Sequence, residues 1–97
     1  MGQFRAAGVA FTTLLNTYPE SLKGDEYKLM IIKSYYNFAD QSIEEKKVER
    51  YEHVIAECNE FEDRFPDSKL KKQADEFLIS SQNKIKILSN EQVKTSA

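Results

Sequence analysis

The sequence contains few of the residues that small proteins use for covalent or metal-based stabilisation. Cys58 is the only cysteine among 97 residues, which excludes an internal disulfide and leaves too few thiols for a zinc site. There is no tryptophan, and two prolines and three glycines leave long stretches free of helix-breaking residues. The longest aliphatic run is "LMII" at Leu29–Ile32, far shorter than a bilayer span. No window alternates with period 2, so an all-α fold is predicted.

The composition also narrows the class of function. Charged residues make up 31% and hydrophobic residues 40% of the chain, which indicates one small globular domain. The net charge of −2 and the pI near 5.4 argue against a nucleic-acid partner. No basic segment followed by an apolar one opens the chain, so it carries no targeting signal of the secretory kind. There is no glycine-rich phosphate loop, and we predict no enzymatic activity and no cofactor.

Apolar residues recur at spacings of three and four, which is the pattern of amphipathic helices. The first and third predicted helices carry stripes formed by Phe4, Ala7, Phe11, Leu14 and Tyr18, and by Tyr51, Val54, Cys58, Phe61 and Phe65. Pro19 and Pro66 are expected to end these helices, because the residue before a proline disfavours the α conformation. Ser21 is the predicted N-cap of the second helix, and Asp67 or Ser68 that of the fourth. Ser42 with Glu45 has the spacing of a capping box.

The first and third helices are copies of one pattern. The offset between Pro19 and Pro66 is 47 residues, and the same offset relates every apolar position in the two stripes. Ser21 falls on Ser68, so the repeated unit includes the start of the next helix. The sequence therefore predicts antiparallel helical hairpins in a solenoid fragment of about four helices.

The repeat divides the chain into four segments. Residues 1–20 are predicted to be the second helix of a truncated repeat, and residues 21–66 a complete repeat with an extended inter-helix loop at 39–50. Residues 67–88 are predicted to form a C-terminal capping helix, and 89–97 a flexible tail. Because the chain would then begin in the middle of a repeat, we expect a native protein that is longer at its N-terminus.

Two stretches carry a family resemblance. The stretch from Phe4 to Pro19 resembles the second helix of a tetratricopeptide repeat, with small residues at Ala7 and Gly8 and a large one at Phe11. The loop sequence "SIEEKKVERY" and the marks "YPES" and "FPDS" resemble the C-terminal repeats of the BamD family, particularly its Bacteroidetes-type members. Members of that family are lipoproteins of the machinery that assembles outer-membrane β-barrels.

This resemblance implies a non-catalytic scaffold at the periplasmic face of the outer membrane. The protein partner that it implies is the set of periplasmic domains of a BamA-like protein. Membrane association would depend on a lipid anchor that is absent from this chain, since no lipobox surrounds Cys58. The residues that we predict to contact a partner belong to the charged part of the loop: Glu45, Lys46, Lys47 and Arg50. The repeat core is predicted to comprise both stripes together with Pro19 and Pro66.

Other interpretations of the same residues remain open. An envelope tetratricopeptide protein of the Tol-Pal-associated type, or a cytosolic adaptor that binds short peptides, would have the same kind of repeat. His53 with Glu49 and Glu57 could bind a metal weakly, or could belong to a solvated helix face. The face of the first helix that lacks a partner is expected to promote self-association of the fragment.

Overall fold

The computed structural model describes the backbone of residues 2–96 and the side chains of residues 2–90. Within that range the chain is all-α and contains four helices and no strand. Their bounds are α1 (Gly2–Thr17), α2 (Gly24–Asp40), α3 (Glu44–Arg64) and α4 (Lys71–Ser96). The predicted fold class of antiparallel helical hairpins is confirmed.

Each helix packs against its neighbour in the sequence. Contacts join α1 to α2, α2 to α3 and α3 to α4, and α2 also touches α4. The described part of the chain is a slab with principal extents of 51 × 28 × 14 Å. A slab of this shape, built from neighbouring contacts, is typical of helical repeat proteins.

The backbone hydrogen bonds of the two turns that follow α1 and α3 repeat with the offset of 47. The Ser21 amide bonds to the Tyr18 carbonyl at 3.1 Å, and the Ser68 amide bonds to the Phe65 carbonyl at the same distance. The Ser21 hydroxyl accepts a bond from the Lys23 amide at 3.1 Å, as Ser68 does from Leu70 at 3.0 Å. Each serine therefore organises its turn, although it precedes the helix by more than one residue and is not its N-cap.

The two equivalent turns lie against each other. The Ser68 hydroxyl donates to a carboxylate oxygen of Asp25 at 2.6 Å, which ties the second turn to the start of α2. The Phe65 ring packs on Gly24, where an added Cβ would lie only 3.1 Å from a ring carbon. The glycine thus provides the space in which the aromatic residue of the next turn is received.

The connection between α2 and α3 differs from the prediction. Only residues 41–43 lie between the two helices, so the extended loop predicted at 39–50 is wrong. Residues 44–50 form the first turns of α3, because glutamate, lysine and arginine are good helix formers and the acidic residues come first, near the positive end of the helix dipole. The capping box is also absent, since the Ser42 hydroxyl donates to the Phe38 carbonyl at 2.6 Å instead.

The C-terminal boundary is also later than predicted. α4 begins at Lys71 and continues to Ser96, so the helix does not end at residue 88. The predicted tail at 89–97 is therefore helical through Ser96, and Ala97 lies outside the described residues. The polar composition of this segment suggested a tail, but it contains no proline or glycine that would stop a helix.

The core lies mainly between α2, α3 and α4. It is a cluster of buried residues formed by Ile32, Val54, Cys58, Phe61 and Ala74, against which half-buried side chains such as Tyr36 and Phe77 pack. Tyr51 is also buried, at 1% exposure. Four members of the predicted α3 stripe are therefore buried, while Phe65 is half-buried and Pro66 is exposed.

The α1 stripe is less enclosed than predicted. Phe4, Ala7, Phe11 and Leu14 are half-buried, and Pro19 is exposed. Tyr18 is 59% exposed, so its assignment to the core is wrong. The buried residues of α1 are instead Gly8 and Leu15, because α2 is the only described helix that α1 contacts and it covers one side alone.

Candidate protein-interaction site

The four charged residues predicted to contact a partner lie on the first two turns of α3. Glu45 and Lys46 are exposed, whereas Lys47 and Arg50 are half-buried. Lys46 Nζ lies 3.9 Å from Glu49 Oε2, which is a loose surface ion pair. A pair of this kind contributes little to stability, so Lys46 stays available to an external partner.

Arg50 is held in place by its own protein. Its guanidinium carbon lies 4.3 Å from the centre of the Phe38 ring, and one of its nitrogens donates to the Ser42 hydroxyl at 2.5 Å. Because Ser42 in turn donates to the Phe38 carbonyl, these three residues form a connected arrangement across the turn. Arg50 is thus a structural residue of the α2–α3 connection as well as a positive charge.

A groove opens beside this arrangement. It has a volume of about 610 Å³ and is lined by Gly2, Arg5, Phe38, Gln41, Ser42 and Arg50. Among the side chains of residues 2–90, no carboxylate lies within ion-pair distance of either arginine. The groove is therefore positively charged, and Lys46 and Lys47 lie on the same turns of α3 as Arg50.

A buried ion-pair cluster lies farther along the same two helices. Lys28 of α2 is 5% exposed, and its Nζ lies 2.5 Å from Glu57 Oε2 and 2.6 Å from Glu60 Oε2. The bond from Lys28, reinforced by its charge, holds the pKa of Glu60 below its ordinary value. Sequence reasoning missed Lys28. A usable signal existed, since Lys28 lies four residues before Ile32 and seven before Tyr35, on the helical stripe that faces α3.

His53 joins the edge of this cluster. Its Nε2 lies 3.2 Å from Glu57 Oε1, and its ring centroid lies 4.3 Å from that of Tyr35. The histidine is about half exposed, but the Glu57 side chain is only 15% exposed, so the stripe is not a fully solvated face. Within the described residues, no three histidine, cysteine, aspartate or glutamate side chains are arranged to hold a metal ion.

Cys58 lies in an environment that suppresses thiol reactivity. It is 4% exposed, and its Sγ lies 3.5 Å from the Ala74 carbonyl oxygen. Burial, together with the smaller effects of the nearby Asp75 and Glu57 charges, raises the pKa of the thiol to about 12. The thiol therefore stays protonated near neutral pH, and its role here is that of a small apolar core residue.

Over the part of the chain that the structure describes, none of the helices combines the length and the apolar content that a membrane span requires. No protein-family model matches the chain, and no curated protein is significantly similar to it.

Proposed function

We propose that this chain is a non-catalytic protein-interaction scaffold of the tetratricopeptide type. We further propose that it is the C-terminal part of a BamD-like lipoprotein, which takes part in assembling and inserting β-barrel proteins into the outer membrane. Under this proposal it acts at the periplasmic face of that membrane and is anchored through a lipid outside these residues. Its partner would be the periplasmic domains of a BamA-like protein.

The observation that carries the proposal is the repetition of the turns. The backbone and serine hydrogen bonds after α1 recur after α3 with one offset, and the second turn packs on the first through Phe65 and Gly24. Such a device stacks helical hairpins at a fixed angle and creates an extended, rigid surface. A rigid extended surface suits a scaffold, because little conformational entropy is lost when a partner docks.

The proposed contact with the partner is the start of α3, which carries Lys46, Lys47 and Arg50. Lys46 and Lys47 lie about one turn before Arg50 in this helix, and Arg50 lines the groove together with Arg5. Basic side chains at an interface raise the association rate with an acidic surface and help to fix its orientation. Glu45, on the same turn, would contribute at the rim of the contact.

Co-purification of a BamA-like protein with the chain in its bacterial host tests the proposal. The informative variant is Lys46→Glu/Lys47→Glu, because neither lysine has a described contact that holds the fold together. Arg50 is left intact, since reversing its charge would also remove its contacts with Phe38 and Ser42. We expect recovery of the partner to fall about tenfold or more, as the loss of a few kcal/mol at an interface implies.

The matched control is Lys69→Glu/Lys72→Glu, which makes the same change in net charge at two exposed positions, one just before α4 and one in its first turn. This control should retain the partner. Equal recovery with both variants would remove the start of α3 from the interface. Failure of the native chain to recover any outer-membrane assembly protein would reject the proposed function itself.

A further inference from the structure

The internal repeat makes it possible to compare two equivalent helix faces, one covered and one open. On α3, the face toward α2 includes Tyr51, His53, Glu57, Glu60 and Phe65. The equivalent positions on α1, 47 residues earlier, are Phe4, Ala6, Ala10, Thr13 and Tyr18. We call these five residues the open face of α1. Ala6, Ala10, Thr13 and Tyr18 are exposed and Phe4 is half-buried, so no described helix covers this face.

The contacts on α3 show what a covering helix does there. The Tyr36 ring of α2 packs on Tyr51 with centroids 5.7 Å apart, and Tyr35 packs on His53 at 4.3 Å. Lys28 bonds to both glutamates, and Gly24 receives the Phe65 ring. The helix that covers α3 thus supplies two aromatic rings, one lysine and one glycine at fixed positions.

The helix that fits the open face of α1 would resemble α2 with one chemical difference. Where α3 has Glu57 and Glu60, α1 has Ala10 and Thr13, which cannot neutralise a lysine. A lysine buried against them would lose its hydration without gaining a partner, which is strongly unfavourable. The matching helix therefore has an apolar residue at the position of Lys28.

We propose that the open face of α1 is a docking surface for an amphipathic helix that lies outside residues 1–97. This helix packs on α1 as α2 packs on α3. It has a small residue, best a glycine, in its first turn to receive Tyr18, aromatic residues opposite Phe4 and Ala6, and an apolar residue opposite Ala10 and Thr13. The surface lies on α1 beside the groove that contains Arg5, and the inference does not depend on the function proposed for the start of α3.

The α4 helix of a second copy of the chain is a poor occupant of this face. It is the repeat equivalent of α2, but it has Lys71 at the position of Gly24 and Asp75 at that of Lys28. It also has Gln82 and Asn83 at the positions of Tyr35 and Tyr36. α4 would thus bring a carboxylate and two amides to an apolar surface, and offer Tyr18 a lysine in place of a glycine.

The repeat also supplies the experiment. Joining an additional copy of residues 21–47 directly before Met1 places that copy one offset ahead of α1, in register with the existing repeat. The appended copy is made in two versions, native and with Lys28→Leu. Each is joined to the native chain and to an Ala10→Glu/Thr13→Glu chain, whose altered positions are exposed and whose α1 can therefore fold.

Thermal unfolding and amide hydrogen exchange of α1 are the two measurements. On the native chain, the Lys28→Leu copy should raise the Tm by at least about 4 °C more than the native copy does, and should slow exchange in α1. On the Ala10→Glu/Thr13→Glu chain the order should reverse, because the two glutamates recreate the partners of Lys28. A reversal would show that the appended helix lies on the open face of α1. Nonspecific stabilisation by an extra helix would favour the same copy on both chains.

Two results would overturn the proposal. One is an appended copy that leaves exchange in α1 unchanged in every combination, or that shows the same preference on both chains. The other is a stable dimer of the unextended chain in sedimentation that protects Tyr18 and Ala10, which would make a second copy the occupant.

Discussion

At the scale of single residues, Lys28 ties α2 to α3 through two ion pairs. Its side chain is buried, and its ammonium group is neutralised by Glu57 and Glu60, one turn apart on the facing helix. A buried charge of this kind is satisfied in only one arrangement, so it discriminates against helix slippage more than it adds stability. Sliding α3 by one residue would move both carboxylates away from the ammonium.

Removing that ammonium should leave the mostly buried Glu57 carboxylate without its lysine, with only the contact to His53 remaining. We expect Lys28→Met to lower the free energy of unfolding by about 2 kcal/mol, less than for a fully buried pair because the Glu60 side chain is 66% exposed. The double variant Lys28→Met/Glu57→Met should recover most of the loss, since no charge is then stranded. Urea denaturation measures both, and Lys33→Met, at an exposed position of α2, should change stability by less than about 0.5 kcal/mol.

The same cluster predicts a dependence of stability on pH. Because the pKa of Glu60 is lower in the folded protein than in the unfolded chain, its contribution is present above the ordinary pKa of a glutamate. The contribution is lost as the pH falls through the lower, folded value. Thermal unfolding between about pH 5 and pH 3 should therefore show a shallower acid loss in Glu60→Gln than in the native chain. Glu52→Gln, on an exposed position of the same helix, controls for net charge and should follow the native curve.

At the scale of helices, the approach of α1 to α2 depends on a single glycine. Gly8 is buried, and a Cβ built on it would lie 2.8 Å from a ring carbon of Tyr35. That ring cannot retreat freely, because it also packs against His53 of α3. Tyr35 thus connects all three helices, and the missing side chain at Gly8 gives the ring its space.

Gly8→Ala should therefore destabilise the protein even though alanine is the better helix former. The gain in helix propensity of about 1 kcal/mol is opposed by displacement of Tyr35, and we expect a net loss of about 1 kcal/mol. Gly2→Ala is the matched control, because nothing lies within 4 Å of a Cβ at that position. Chemical denaturation of both variants decides the point, and a more stable Gly8→Ala protein would show that the ring yields easily.

The helices could be predicted from the sequence because their apolar spacing and prolines are local signals. The offset of 47 between the two hairpins was also readable, since it depends only on comparing positions such as Pro19 and Pro66. The polar run at 44–50 was misassigned to a loop because its composition suits an exposed helix face equally well. Lys28 was missed because the glutamates that neutralise it lie on another helix, although its place on the stripe of Ile32 and Tyr35 was a local sign of burial.

At the scale of the whole molecule, the contacts between neighbouring helices leave α1 less supported than α2, α3 and α4. α1 contacts only α2 among the described helices, whereas α3 packs on both α2 and α4 and contributes Val54, Cys58 and Phe61 to the core. In proteins built from nearest-neighbour contacts, terminal elements can open while the rest stays folded. α1 is therefore expected to open more readily than the other three helices.

Two truncations of similar chemistry should distinguish the opening of α1 from that of the other three helices. Leu15→Ala removes a side chain that is 2% exposed on α1, and Phe61→Ala one that is fully buried on α3. Each should cost about 2–5 kcal/mol locally. Native-state amide exchange should show faster opening confined to α1 for Leu15→Ala, but across α2, α3 and α4 for Phe61→Ala. Uniform acceleration in both variants would mean that the chain opens as one unit.

The enclosed position of Cys58 has a practical consequence for studying these motions. As the only cysteine, enclosed between α3 and α4 and protonated near neutral pH, it can react with an alkylating reagent only when that hairpin separates. The Cys58 thiol is thus a natural reporter of the opening of the α3–α4 hairpin. The rate at which a thiol reagent modifies the protein under native conditions counts the openings of one hairpin, without a label, a mutation or a denaturant.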